Sequence, residues 1–308
     1  MRSMHDFLAT IPFDLYELHL FRLVVSHGSF TKAAQIAGLT QSAITRQVQG
    51  METNLGFPLL ERTTRKVKTT PAGDFLFRQS ARLIGDVDDS LRRLREEFGG
   101  AKKEVRVGIS RSISLSYLPG FFHANLRHYP EVGCHMSHLR SVDIIAALEA
   151  NELELGVLCP PKRLPNTLKV THRFNDIFTL IAPRDSATEF QSLPKSGKAR
   201  STWLARQPWL LLDEESNTGK RLQTWMRQQD LRIEPSMRLD SFDLIINLVA
   251  LGMGVSFVPI RALAMYGRKQ TLQRISLKER FSRELVVVIR RNRSTPEHLK
   301  RFVANVLF

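Results

Sequence analysis

The stretch GSFTKAAQIAGLTQSAITRQV, residues 28–48, carries two short helical patterns joined by a Gly-Leu-Thr turn. Ser29 can cap the first helix, and three alanines within it are small enough to let another helix cross closely. Thr40 can cap the second helix after the turn. An earlier helical pattern, with apolar residues at spacings of three and four, ends near Gly28. The stretch therefore predicts a helix-turn-helix within a set of three helices.

The second helix of this stretch is predicted to run to about Leu55 and to end at Gly56. At about 100° per residue, one sector of it holds the apolar side chains Ile44, Val48, Met51 and Leu55. The opposite polar face is typical of any surface helix, but arginine can also bind guanine, glutamine can bind adenine, and hydroxyls can reach phosphates or bases. This face predicts DNA contacts by Gln41, Ser42, Thr45, Arg46 and Gln49.

The segment FPLLERTTRKVKTTPAG, residues 57–73, follows that helix and is predicted to form a short hairpin wing. Basic residues cluster near its tip, where lysine and arginine suit phosphate contacts or insertion into the minor groove. A loose basic loop is the alternative. The wing residues that we predict to contact DNA are Arg62, Arg65, Lys66 and Lys68.

Residues 28–73 together resemble the N-terminal pattern of the LysR-type transcriptional regulators almost throughout. The resemblance implies a helix-turn-helix at about residues 30–49. Family members often have proline in the first turn of the second helix, where this chain has Ser42 and Ala43, and either choice suits a helix start. By match, the family's DNA-contacting positions fall on Thr31, Gln41, Ser42, Thr45, Arg46 and Arg62.

A long helix that Pro71 opens is predicted to extend to Phe98, before Gly99-Gly100-Ala101 breaks it and forms a hinge. A repeat of mostly apolar positions along this helix alternates in steps of three and four, which is the spacing of a coiled-coil seam. The family resemblance agrees, because family members dimerise through a linker helix. Burial against the chain's own domain is the alternative. The seam consists of Phe77, Ser80, Ile84, Val87, Leu91, Leu94 and Phe98.

Strand and helix patterns alternate after the hinge, including EVRVGIS, a helix to about Tyr129, EVGCHMSHL, LELGVL, PWLLLD and GVSFVP. Such alternation predicts parallel α/β units. We expect two lobes joined by strands that cross near residues 174–182 and 274–283, with a cleft between them. This resembles the family's effector domain, itself similar to periplasmic solute-binding proteins. The predicted fold is α/β overall, with an all-α winged helix-turn-helix domain at 1–70, a linker helix and hinge at 71–100, and a two-lobed effector domain at 101–308.

Polar loops at the ends of predicted strands are candidates for binding an effector, because free backbone N–H groups lie at helix N-termini there. One such loop lies in ISRSIS and another in DEESNTGKRL, and both could donate hydrogen bonds to one carboxylate, phosphate or sulfate group. By match to the family, Ser110 and Ser112 hold positions that often contact the effector. Ser141 and Ser241 also begin helices, where capping is the favoured role and ligand contact the alternative. The effector-site residues that we predict are Ser110, Arg111, Ser112, Ser141, Ser216, Asn217, Thr218 and Ser241.

The 308-residue chain has a formal net charge of +15, and the excess lies mainly in its C-terminal two thirds. Residues 1–100 carry 13 basic and 11 acidic residues, whereas residues 101–308 carry 32 and 19. The most basic segment, 261–301, is interpreted as a solvated surface, with DNA or an anionic ligand as alternative partners. With no long apolar run and no signal-peptide pattern, we expect a soluble cytoplasmic protein without a membrane partner.

Motifs for catalysis or metal binding are weak. TGKR lacks the remaining glycine and hydroxyl residues of a P-loop. In CHMSH, Cys134 and His138 share a strand face about 13 Å apart, so they cannot share an ion directly. Cys134 and Cys159 are interpreted as packing cysteines, with a redox switch as the alternative. We predict no enzyme activity, no metal and no cofactor.

The resulting hypothesis is a sequence-specific DNA-binding transcriptional regulator that senses a small anionic effector. Its expected DNA partner is a double-stranded, interrupted palindromic operator, because dimer symmetry implies paired half-sites. The resemblance implies a homodimer or homotetramer that bends DNA, and RNA polymerase is a further candidate partner. Two alternatives stay open: a solute-binding protein whose N-terminal domain only mediates assembly, and an architectural DNA binder with little sequence preference.

Overall fold

The computed structural model describes residues 11–61, 67–113, 115–118, 130–194, 197–231, 233–264, 266, 271–278, 280–291 and 295–304. Its contacts divide the chain into two compact units, Met1–Gly99 and Gly100–Phe308. No helix in the described part of the chain is long and apolar enough to cross a membrane. The predicted helix up to Tyr129 falls largely on residues outside the description.

The N-terminal unit begins with the helices α1 (Leu15–His27), α2 (Phe30–Ala37) and α3 (Gln41–Leu55). Each begins at a side-chain cap, since Asp14, Ser29 and Thr40 accept hydrogen bonds from backbone N–H groups of the first turns. Each ends at a glycine in the left-handed conformation. The core between them contains the predicted apolar side chains Ile44, Val48 and Met51, all buried. The predicted helix-turn-helix is confirmed.

A short hairpin follows α3. Its antiparallel strands, β1 (Leu60–Glu61) and β2 (Lys68–Thr69), are two residues long each. The carboxylate of Glu52 on α3 accepts hydrogen bonds from the backbone N–H groups of Leu59, at 2.7 Å, and Leu60, at 2.9 Å. The start of the wing is thereby attached to α3. Residues 62–66, which include the predicted contacts Arg62, Arg65 and Lys66, lie outside the described residues.

The long helix α4 (Pro71–Phe98) has the predicted bounds and is capped by Thr70. Its first half packs on the N-terminal core through Phe77 and Ile84, and Ser80 is buried. Arg22 of α1 donates to the Phe77 carbonyl at 3.0 Å and to Ser80 Oγ at 3.1 Å. The first half of α4 therefore packs on the chain's own domain, which was the alternative to a coiled-coil seam. In the second half, the predicted seam residues Val87, Leu91, Leu94 and Phe98 are exposed.

The first lobe of the C-terminal unit is built on parallel strands β3 (Glu104–Ser110), β4 (Gly133–Leu139) and β5 (Leu155–Leu158). Helix α5 (Ser141–Glu149) packs against β3 and β5. Strand β11 (Ser282–Arg290) joins this sheet antiparallel to β5. The carboxyl end of β3 lies beside the carboxyl end of β4, so the loops that follow both strands meet at one edge.

The second lobe contains β9 (Ser256–Pro259) and β10 (Leu272–Ile275), together with a separate pair of parallel strands, β7 (Leu210–Leu212) and β8 (Met237–Leu239). Its helices are α6 (Arg184–Ser192), α7 (Gly197–Arg206), α8 (Asn217–Gln228) and α9 (Phe242–Ala250). Helix α10 (Glu297–Ala304) follows β11.

Strand β6 (Leu168–Pro183) connects the two lobes. Its first part pairs with β11, whereas its last residues pair with β9 and β10 of the second lobe. The chain crosses back from the second lobe to the first between β10 and β11. The predicted two lobes and both crossings are therefore confirmed, and the crossings lie beside the loops that follow β3 and precede α8.

Candidate functional site

The polar face of α3 is open to solvent. Thr45 is partly buried, and its hydroxyl donates to the Gln41 carbonyl at 2.8 Å. Ser42 Oγ lies 3.1 Å from Thr40 Oγ1. In the described part of the chain, Arg46 has no ion-pair partner, so its charge is available to an external anion. The exposed predicted contacts are Thr31 on α2, Gln41, Ser42, Arg46 and Gln49 on α3, and Lys68 on β2.

A cleft of about 450 Å³ lies between the two lobes of the C-terminal unit, at the loops that follow β3 and precede α5 and α8. Six of the predicted effector residues line it, namely Ser110, Arg111, Ser112, Ser141, Ser216 and Asn217. Thr218 is fully buried, and neither it nor Ser241 belongs to the described lining. The lining residues that sequence reasoning missed include Arg140 and Lys220.

The serines at the helix starts have different roles. Ser216 caps α8, because its Oγ accepts from the Gly219 N–H at 2.9 Å. Arg140, not Ser141, occupies the cap position of α5, and the Ser141 hydroxyl lies 3.2 Å from Ser110 Oγ. Ser241 occupies the cap position of α9 but forms no cap hydrogen bond through its side chain. The capping role that we favoured is therefore wrong for Ser141, whereas Ser241 holds the cap position without a hydrogen bond from its side chain.

Two of the three basic side chains that line the cleft form ion pairs in the described structure. Arg111 bridges to Asp240 on the other lobe at 3.2 Å, although both side chains are more than half exposed. Arg140 pairs with Asp143 at 2.8 Å, and this contact lowers the pKa of the Asp143 carboxyl. In the described residues Lys220 has no such partner. Its ammonium is a free cation at the cleft.

Behind the cleft lies a buried polar network that the sequence analysis missed. Arg283 is 1% exposed, and its Nε donates to Asp176 Oδ2 at 2.9 Å. Its Nη1 donates to Ser112 Oγ at 3.2 Å and to Thr218 Oγ1 at 2.7 Å. Tyr117 donates its hydroxyl proton to Asp176 Oδ1 at 2.6 Å, and burial raises the pKa of this phenol. The network joins the first-lobe loop to α8 of the second lobe.

A signal for this ion pair was present in the sequence. Asp176 and Arg283 are directly opposed in the antiparallel β6–β11 ladder, where opposite charges attract. Each lies in or beside an apolar strand pattern, where a charge is expected to need a partner. Arg283 belongs to the basic segment 261–301, which we interpreted as solvated. For this residue that interpretation is wrong.

The two cysteines are far apart in the strand register of the first lobe. Cys134 faces Val105 of β3, whereas Cys159 follows β5 two residues after Val157, which faces Ile109. Cys159 therefore lies level with residue 111 of the chain, six residues beyond Val105, which corresponds to about 20 Å along the strand direction. The two sulfurs cannot form a disulfide in this fold. Burial raises the pKa of Cys134 to about 12, which keeps it an unreactive thiol. In the described part of the chain, no cluster of His, Cys, Asp or Glu could hold a metal.

Comparison with known families covers both units. Residues 15–74 match the model of the "Bacterial regulatory helix-turn-helix protein, lysR family", and residues 98–307 match the "LysR substrate binding domain". The chain therefore belongs to the LysR family. It is a LysR-type DNA-binding transcriptional regulator with an effector-binding domain.

Individual proteins agree with this assignment. A "Probable RuBisCO transcriptional regulator" from Gracilaria tenuistipitata var. liui is 28% identical over 304 residues, which cover 96% of either chain. The crystal structure of CbnR, a LysR family transcriptional regulator, superposes with a TM-score of 0.66 at 20% identity, covering 96% of this chain and 98% of that one. Full-length CbnR complexed with its target DNA gives a TM-score of 0.65 at 21% identity, covering 96% and 99%. These structural likenesses support the fold.

Proposed function

We propose that α3 reads base edges in the major groove of an interrupted palindromic operator. The observation that carries this proposal is the separation of the two faces of α3, since Ile44, Val48 and Met51 are buried while Arg46 and Gln49 are exposed. Arginine and glutamine are side chains that discriminate bases by paired hydrogen bonds. The chain acts by binding rather than catalysis, in the cytoplasm where its operator would lie, with RNA polymerase as a further proposed partner.

The second half of α4 supports a homodimer or homotetramer. Leu91, Leu94 and Phe98 are 46%, 57% and 78% exposed along one seam. A second copy of the helix would cover these side chains in a coiled coil. Leu94→Lys is expected to leave the fold of the chain intact and to lower its molar mass in solution, measured by light scattering. The same oligomer with Leu94→Lys would contradict this role for α4.

We propose that the cleft binds a small anion. The side-chain charges of its lining balance, with Arg111, Arg140 and Lys220 against Asp213, Glu215 and Asp240. The preference therefore depends on two other features. The N-termini of α5 and α8 both border the cleft and carry partial positive charge. The hydroxyls of Ser110, Ser112 and Ser141 also lie in the lining.

A nuclease footprint on the DNA that flanks the protein's own gene tests the DNA proposal. The full chain, at about 150 mM salt and with competitor DNA in excess, is expected to protect a discrete, extended site. Diffuse protection would instead favour the architectural alternative.

Calorimetry of the full chain with a panel of metabolites tests the effector proposal. Ser141 and Ser241 provide a matched pair, because both begin helices but only Ser141 lines the cleft. Ser141→Ala should weaken binding of an anionic metabolite about tenfold, whereas Ser241→Ala should leave it unchanged. A panel in which only neutral or cationic compounds bind would overturn the anionic preference.

A further inference from the structure

We propose that Arg283 is a positioning residue that fixes the direction of the hydroxyl hydrogen bonds in the cleft. In this arrangement the cleft always offers a hydroxyl donor to its ligand. It therefore favours groups that only accept hydrogen bonds, such as sulfate or a carboxylate, over groups that also donate. The proposal deepens the proposed function of the cleft and rests on it for the ligand class.

The guanidinium of Arg283 sets the donor-to-acceptor direction of these hydrogen bonds, because it carries donors only and stays protonated in proteins. Both hydrogens of Arg283 Nη1 are used, one toward Thr218 Oγ1 and one toward Ser112 Oγ. Thr218 then donates its own proton to Ser112 Oγ at 3.3 Å. Ser112 Oγ thus accepts two hydrogen bonds, which occupy both of its lone pairs.

The Ser112 hydroxyl must therefore act as a donor outward. Ser112 is 3% exposed, and the acceptor that the described structure offers is Ser110 Oγ, at 3.2 Å. Ser110 Oγ also lies 3.2 Å from Ser141 Oγ. One proton, from Ser110 or from Ser141, occupies that bond, and the other is left for the cleft. Ser110 and Ser141 both line the cleft, so whichever of them donates within the bond, the O–H of the other stays available to a ligand.

Several contacts hold the guanidinium in place. Asp176 binds its Nε, and Tyr117 in turn holds the other oxygen of that carboxylate. The rings of Phe178 and Phe242 lie 5.3 Å and 5.4 Å from the guanidinium carbon. Because the surroundings are buried, each of these polar contacts is stronger than in water. Without Arg283, a lone pair of Ser112 would be free and the whole chain of hydroxyls could reverse.

Sulfate and phosphate are suitable probes, because sulfate only accepts hydrogen bonds near neutral pH, whereas phosphate still carries an O–H donor. The test measures both affinities by calorimetry on the full chain. Asp176→Asn/Arg283→Met removes the buried charges together, which avoids leaving one of them unpaired. We expect this variant to bind sulfate about tenfold more weakly and phosphate less than about threefold more weakly.

Three further variants separate positioning from a structural role. Arg283→Lys keeps buried N–H donors and should preserve the sulfate-to-phosphate ratio. Ser112→Ala interrupts the chain without disturbing the ion pair, and should lower the ratio even if the double variant does not fold. Arg111→Met removes an exposed charge at the cleft and should weaken the binding of both anions, with a much smaller change in the sulfate-to-phosphate ratio than Ser112→Ala causes. Equal losses of sulfate and phosphate affinity in Ser112→Ala would overturn the proposal.

Neutron diffraction from crystals of the deuterated full chain tests the hydroxyl direction without any ligand. The Ser112 deuteron is expected on the line to Ser110 Oγ. A deuteron that points toward Thr218 or Arg283 would overturn the proposal. If the wild type binds neither sulfate nor phosphate, the anionic effector function loses its support, while the neutron result still decides the direction of the hydroxyl hydrogen bonds that the proposal assigns.

Discussion

The two units present their candidate binding residues in opposite ways. In the N-terminal unit, Gln41, Arg46 and Gln49 lie on one continuous helix and face solvent. In the C-terminal unit, the hydroxyl network begins at Ser110 and ends at Arg283, on elements separated by most of that unit's sequence. A helix face depends on local periodicity alone. A cleft built from several strands and loops depends on the whole domain, so substitutions that disturb the domain core should also weaken binding at the cleft.

Glycines at the third position of a helix give the largest expected effects, and one occurs in each unit. A Cβ on Gly73 would lie 2.0 Å from the Leu59 carbonyl oxygen, and one on Gly219 would lie 2.0 Å from the Asp213 carbonyl oxygen. Alanine at either position should lower the free energy of unfolding of its own unit by about 3 kcal/mol, since backbone must move. Gly50→Ala is the control, because nothing lies within 4 Å of its Cβ position.

The tryptophans Trp203, Trp209 and Trp225 all belong to the C-terminal unit, so their fluorescence during urea unfolding reports on that unit. Gly219→Ala should shift this transition, whereas Gly73→Ala should shift the helical circular dichroism and leave the tryptophan signal in place. Gly50→Ala should raise stability by up to about 1 kcal/mol. If Gly73→Ala and Gly219→Ala shift both signals together, the two units unfold as one, and the contrast between them fails.

Arg46→Ala should reduce affinity for the specific operator by about 2 kcal/mol while leaving binding to unrelated DNA nearly unchanged. Lys68 supplies the comparison within the same unit, because a lysine on the wing suits phosphate contact. Lys68→Ala should weaken binding to both DNAs alike and reduce the salt slope by about one. Fluorescence anisotropy on both DNAs at several salt concentrations measures these effects. A uniform loss with Arg46→Ala would show that α3 does not read sequence.

Two asparagines that donate hydrogen bonds of the same length allow a contact between the lobes of the C-terminal unit to be compared with an exposed contact in the N-terminal unit. Asn217 donates to the Cys159 carbonyl at 2.9 Å between the lobes, and Asn54 donates to the Pro12 carbonyl at 2.9 Å in an exposed position. Asn217→Ala should cost about 1 kcal/mol, because it leaves a partly buried carbonyl without this donor. Asn54→Ala should cost less than about 0.5 kcal/mol, since water can replace the amide. Equal losses in urea unfolding would argue against a special role for the lobe contact.

The smallest expected effect is that of Arg111→Ala. The Arg111–Asp240 pair also joins the lobes, but its side chains are 51% and 58% exposed. Exposed ion pairs contribute little because water screens them, so the expected change in unfolding free energy is below about 0.5 kcal/mol. The difference in unfolding midpoint between this variant and the wild type should shrink further as salt is added, because salt screens an exposed pair. A loss as large as that of Asn217→Ala would mean that this exposed pair helps to hold the lobes together.

Much of the fold was predictable because its signals are local. Ser29 and Thr40 act as helix caps and Gly56 ends α3, as their sequence positions indicate. Alternating strand and helix patterns predicted the two lobes. The seam of α4 was predicted as a whole, but periodicity does not tell which part packs on the chain's own core. Only its first half does so.

The candidate cleft was partly predictable. Ser110 and Ser112 follow a recognisable strand, and Ser216 precedes a recognisable helix, so the loops could be placed at one edge. The functions of their hydroxyls could not be assigned, since Ser141 faces Ser110 only because β3 and β4 are adjacent. The register that opposes Asp176 to Arg283 depends on where β6 crosses between the lobes.

By itself, the sequence determined the helix-turn-helix, the polar face of α3, the long helix and the alternation of strands and helices. These features follow from caps, breakers and periodicities that act over a few residues. Tertiary structure alone decided that Arg283 lies behind the cleft, bonded to Ser112 and Thr218. The reason is that these side chains meet across more than sixty residues of chain, where contact depends on sheet order and register rather than on local pattern.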